Sequence, residues 1–198
     1  MWIRTREAVE APASTQAHAE WAAFLWRLPT GSSTRRVTVW RQLRRLGAAT
    51  LTPGAALLPW REEIVERLDW LAQEVDEQGG DAWVLHVSDL GEAETGRVIA
   101  EVNGHRSAEY AELRKDAEAF AQRAQSQLGE SSDPAARLAT ERELVALQRR
   151  FRKVRARDHF GAEGRGEAAG AVDRGLRYRQ GISSKLTAAT DHHDAESA

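Results

Sequence analysis

The sequence predicts an α+β protein, a ferredoxin-like β-α-β-β-α-β module followed by an antiparallel helical hairpin. Three observations predict it. Between Trp21 and Val87 the chain reads apolar run, basic helix, apolar hairpin, acidic helix, apolar run. All seven tryptophans lie at or before Trp83, so one compact core is expected there. Beyond residue 107, apolar residues repeat at three-four spacing in two stretches separated by a turn containing Gly129 and Pro134.

Residues 1–19 are rich in Ala, Thr, Ser and Glu without periodicity, so a disordered leader is expected. The module is expected over residues 20–90. Residues 21–28 (WAAFLWRL) are too short for a helix and carry two tryptophans, which favours a buried strand ended by Pro29. Thr30-Gly31-Ser32-Ser33 supplies a turn and an N-cap, and a helix is expected from about Ser33 to Leu46, stopped by Gly47. At about 100° per residue, Val39, Trp40, Leu43 and Leu46 share its inner face, with Trp40 expected against the sheet. Arg41 and Arg45 point away, and Arg36 falls at the edge of the apolar stripe. Two short apolar pieces, 48–51 and 55–58, flank Thr52-Pro53-Gly54 and read as a hairpin. Residues 61–78 form an amphipathic helix with Ile64, Val65, Leu68, Leu71, Ala72 and Val75 inside, ended by Gly79-Gly80. Residues 82–87 (AWVLHV) are the last strand.

Residues 91–107 show little periodicity and are expected to be a connector. The helical extension is expected over 108–180. Tyr110, Leu113, Ala117, Phe120, Ala124 and Leu128 make one stripe; Leu144, Leu147, Phe151 and Val154 make the other. A third helix over 163–179 is weakened by its glycines. Residues 181–198 read as a disordered tail.

Composition bounds the function. With 198 residues, 41% hydrophobic and 29% charged, the chain can bury a core. A net charge of −2 gives no global attraction to nucleic acid, so any such contact must come from local clustering. The absence of cysteine excludes disulfides and thiolate chemistry. With no signal-like N-terminus and no apolar run near the roughly 20 residues of a membrane span, a soluble cytoplasmic protein is expected.

The start of the first helix can act as an anion cradle. Unpaired N–H groups of its first turn meet the hydroxyls of Ser32 and Ser33 and the charges of Arg35 and Arg36; an ordinary capped helix with solvated arginines is the simpler account. Candidate nucleic-acid contacts are Arg41 and Arg45 on the first helix, and Arg149, Arg150, Arg152, Lys153 and Arg157 in the run RRFRKVRAR. Glutamates of a facing helix could equally pair that run. The six histidines show no metal-ligand spacing, and no nucleophile elbow, P-loop or dinucleotide signature is visible. Neither a metal, a cofactor nor an enzymatic activity is expected.

Several stretches together resemble the N-terminal region of the chromate resistance protein B family. They are Leu28-Pro29 before Ser33, RVTVWRQLRRLGA from Arg36 to Ala48, LLP at residues 57–59, Gly79-Gly80-Asp81-Ala82-Trp83, and RARDHFG from Arg155 to Gly161. In the last string His159 stands where the family has an aromatic residue. Longer family members continue into a C-terminal domain, whose properties are not carried over. The resemblance implies a cytoplasmic, oxyanion-responsive, DNA-associated transcriptional regulator of chromate resistance, with chromate or a similar oxyanion as effector. The alternatives are a non-enzymatic interaction module that docks or homodimerises through its helical hairpin, and a metal-dependent nuclease-like or chromate-handling enzyme. A fainter resemblance links the module to the C-terminal part of phenylacetate-type repressors and to small CRISPR adaptation nucleases. The latter carry an aspartate at the end of the first strand, where this chain has Leu28-Pro29-Thr30.

Overall fold

The computed structural model describes residues 20–31, 33–127 and 134–177. The leader, Ser32, the turn at 128–133 and the tail from 178 lie outside the described residues. The chain runs β1 (Trp21–Arg27), α1 (Ser33–Leu46), β2 (Ala49–Thr52), β3 (Ala55–Pro59), α2 (Glu62–Glu77), β4 (Asp81–Val87), α3 (Glu92–Gln127) and α4 (Pro134–Ala156). A last helix, α5, covers residues 165–177. The strands form one sheet in the order β2-β3-β1-β4, with every neighbouring pair antiparallel.

Alternation along β1 sends its residues to two different cores. Ala22, Phe24 and Trp26 join Ala56 and Leu58 of β3 under α1 and α2, which contribute Val39, Leu43, Ile64, Leu68, Leu71 and Val75. Trp21 points to the other face, with Ala49 and Leu57, and is covered there by Val98 and Val102 of α3. The α1 and α2 helices end alike. Gly47 has φ +84° and Gly79 φ +76°. The next residue in each case donates back across the turn, Ala48 N–H to Leu43 O at 3.1 Å and Gly80 N–H to Val75 O at 3.0 Å. This is the glycine-terminated Schellman stop, which satisfies carbonyls that the helix leaves open.

Two expectations are corrected. Residues 91–107 are no connector; all but Gly91 belong to a 36-residue helix. The stretch shows little apolar periodicity because Val98 and Val102 are the apolar side chains it buries on the sheet; Gly96 and Gly104, each costing about 1 kcal/mol of helix propensity, face open space. Trp40 is not in the core: it is 41% exposed, and the α1 residues buried are Val39 and Leu43. The stripe that reaches the sheet is narrow, so a residue one step, about 100°, from Val39 already leaves it.

In the extension, the pairs Arg123–Glu143, Arg150 with Asp116 and Glu112, and Arg157–Glu109 run in opposite numerical order along α3 and α4, so the helices are antiparallel. Tyr110, Leu113, Ala117, Phe120 and Ala124 pack on Leu144, Leu147 and Val154. Ala168, Ala171 and Val172 of α5 complete this core. Gly175 leaves room for this core, because a Cβ would sit 3.1 Å from Phe120 and 3.2 Å from Leu144, so their side chains would have to shift. Among the described residues, no helix is long and apolar enough to cross a membrane.

Candidate functional site: a basic helix and the clasp at its end

Helix α1 carries Arg35, Arg36, Arg41, Arg44 and Arg45 and no acidic residue. The inner face is held by Val39 and Leu43, so the other positions of the helix are left for solvent or a partner. Arg36, Arg41 and Arg45 are exposed and have no partner among the described residues. Arg44 lies over the Trp40 ring at 4.7 Å, a cation–π contact that holds both side chains on the outside of the helix.

The proposed anion cradle is only partly assembled. Ser33 is exposed, and Ser32 is outside the described residues. Arg35 Nη1 donates to the carbonyl of Gln78 at 2.9 Å, tying the first turn of α1 to the end of α2. Arg36, at the edge of the apolar stripe, is exposed and needs neither a carboxylate nor an anion to be stable.

The basic run of α4 divides in two. Arg150 bridges Glu112, at 2.9 Å, and Asp116 of α3. Arg157 pairs with Glu109 at 3.0 Å and donates to its own helix at Lys153 O. Arg149, Arg152 and Lys153 face outward and are exposed. Thus the sequence-derived group splits into two packing arginines and three surface cations.

The end of α4 meets the end of α1. A Cβ placed on Gly47 would lie 2.7 Å from the Arg157 carbonyl. His159 Nε2 is 2.7 Å from the Leu46 carbonyl, the last of α1, and acts as the donor. Arg61 Nη2 donates to the His159 carbonyl at 3.3 Å, and the Phe160 ring packs on Trp21 at 5.4 Å. The Asp158 side chain is wholly buried. It accepts hydrogen bonds from the Tyr110 hydroxyl at 3.0 Å and the Ala162 N–H at 2.9 Å. The string 155–161 is therefore a clasp between the α/β module and the extension. Arg157 and Asp158, which could have paired with each other, take separate partners across it.

Burial sets the protonation chemistry of this clasp. It pushes the Tyr110 hydroxyl up to about 12, helped by the hydrogen bond to Asp158. It also lowers His159 below its ordinary value, against the opposing effect of the Leu46 hydrogen bond. Arg106 is 6% exposed and gives one nitrogen to Glu109 at 3.1 Å. Burial lowers its affinity for the proton, while Arg44 and Arg157 lie close enough to act on it electrostatically. Sequence reading missed Arg106 and Glu109 because they sit in and beside the supposed connector; their spacing of three was the available signal. Among the described residues no cluster of His, Asp and Glu could hold a metal ion.

Fold and surface together define a class: a four-stranded antiparallel α+β module with a basic helix that exposes several arginines, clasped to a helical extension. The chain belongs to the chromate resistance protein B family: the family described as "Protein ChrB, N-terminal" matches residues 36–193. A curated relative, Protein ChrB of Cupriavidus metallidurans strain CH34, is 35% identical over 92 residues, which is 46% of this chain and 28% of the relative. The matched stretch thus covers well under half of that relative's length. No solved structure matches the chain.

Proposed function

We propose that this chain is the N-terminal part of a DNA-associated, oxyanion-responsive transcriptional regulator of chromate resistance, and that α1 contacts the DNA backbone. The observation that carries the reading is Arg41 and Arg45 on the outer side of a helix without a carboxylate, with Arg36 exposed near the edge of its apolar stripe, none of the three with a partner among the described residues. Arginines left unpaired on a protein of net charge −2 are placed to meet a polyanion. Arg149, Arg152 and Lys153, exposed on α4, add further cations that a polyanion could meet. Family membership supports the chromate link. The effector would reach the first turn of α1 at Ser32, Ser33 and Arg36, where helix N–H groups favour an oxyanion. We further infer a ferredoxin-like module with a helical-hairpin extension; the strand order β2-β3-β1-β4 and the antiparallel α3–α4 pairing support it.

The test is retention of promoter DNA across a salt series. Each phosphate contact contributes roughly 0.9 to the slope of log affinity against log salt. The triple variant Arg36→Ala/Arg41→Ala/Arg45→Ala should therefore flatten that slope by about 2–3, while far-UV circular dichroism stays unchanged. A slope identical to wild type removes α1 from the DNA interface.

A further inference from the structure

The outer face of the sheet is covered at one end only. Helix α3 lies over Trp21, Ala49 and Leu57. At the other end the register sets Leu25 beside Trp83, and Leu85 lies beside Ala23 at the border of the covered part, all on the face opposite to Phe24. Trp83 is 51% exposed and Leu85 47% exposed, and Leu25 is half-buried between the strands. Both exposed side chains sit on β4, which is an edge strand. Large apolar side chains clustered on an uncovered sheet face mark an interaction surface rather than a scatter of single exposed residues.

The charges around the patch select its occupant. The same face continues one pair further to Arg27 and Asp81, which are in register and joined at 2.6 Å. The rim therefore carries one charge of each sign, both solvent-accessible, and is neutral overall. That disfavours nucleic acid, whose phosphates need a basic surface, and equally disfavours a strongly charged protein partner. It suits a second copy of the chain. A two-fold axis parallel to the strands and midway between β1 and β4 sets Arg27 of one copy over Asp81 of the other, and Trp83 and Leu85 of one copy over Leu25 and Ala23 of the other. We propose that the protein forms a homodimer through this open half of its sheet, with Trp83 and Leu85 as the anchor and Arg27 and Asp81 as the register-setting rim. The surface is separate from α1, which packs on the opposite face, so the proposal stands or falls independently of the DNA reading.

Sedimentation equilibrium of the full chain across the micromolar range tests it. A dimer is expected, with Trp83→Ser and Leu85→Ser each raising its dissociation constant by about tenfold or more, the loss typical of a central aromatic or aliphatic anchor. Circular dichroism should be unaltered, since both side chains are largely exposed. The decisive arm uses charge reversal. Arg27→Asp alone and Asp81→Arg alone should each be monomeric, because like charges then face each other across the two-fold. Mixing the two variants should restore a one-to-one dimer. A monomeric wild-type chain overturns the proposal. So does a dimer unaffected by Trp83→Ser and Leu85→Ser, or a pair of rim variants that fails to recover on mixing. A full chain that is monomeric and dimerises once residues 1–19 are removed would assign the patch to that leader and overturn it too.

Discussion

His159 donates its Nε2 hydrogen to the final carbonyl of α1 and is partly buried between α1, α2 and α4. Arg61 and Arg106 oppose a charge on its ring, Asp158 favours one, and burial prevails, so the folded-state value lies below the ordinary 6.5. The unfolded chain therefore takes up a proton at a higher pH than the folded chain does. Stability from this residue is complete above 6.5 and is lost as the pH falls through the lowered folded-state value. Urea midpoints measured at pH 7.5 and pH 5.5 (about one pH unit to either side of the free imidazole) should drop more for wild type than for His159→Phe. That variant keeps a ring of similar size but cannot take up a proton. Equal drops would place the acid sensitivity elsewhere. At this scale the sequence was a partial guide. It marked the string 155–161, but nothing local to the string says that Asp158 would find Tyr110, 48 positions away. Trp40 failed for a subtler reason: helical phase locates a residue to within one step, and one step separates core from solvent on so narrow a stripe.

Among the elements, α1 was legible almost to the residue, because its start and stop rest on local chemistry. Ser33 opens it, and Gly47 closes it with a backbone that only glycine adopts without strain. The close approach of the Arg157 carbonyl to Gly47 is a second, non-local demand that spacing cannot reveal. Gly47→Ala meets both: a φ of +84° and a Cβ 2.7 Å from a carbonyl oxygen. Destabilisation of about 1–3 kcal/mol is expected from the strained backbone alone, with the clash adding to it. Chemical denaturation measures it; a loss within about 0.5 kcal/mol, the scale of a neutral surface change, would mean that the two helix ends are not held together in solution. The α3 helix was legible only from Tyr110 onward. Its first half has few apolar residues, and it is helical because the sheet needs Val98 and Val102, which is tertiary information.

The molecule as a whole is joined twice, by α3 lying on the sheet and by the clasp at the end of α1. Both joints bury side chains from each part. Module and extension are therefore expected to unfold together. Every tryptophan lies at or before residue 83, so fluorescence reports the module, whereas far-UV circular dichroism is dominated by α3, α4 and α5. The two signals should share one urea midpoint, as in a two-state transition. Distinct midpoints would show that the joints are weaker than either part. The division between residues 107 and 108 read from the sequence falls inside α3, where no change in pattern marks the joint, whereas the one at residue 90 falls just before the helix begins.

The unbroken passage of α3 from one core to the other also fixes what kind of genetic change the chain can absorb. Val102 faces the sheet and Tyr110 faces the second core, and only the intervening turns of helix set the angle between them. Each added or deleted residue rotates one core against the other by about 100° and slides it by about 1.5 Å. Homologues should consequently vary in letters but not in length between these two positions.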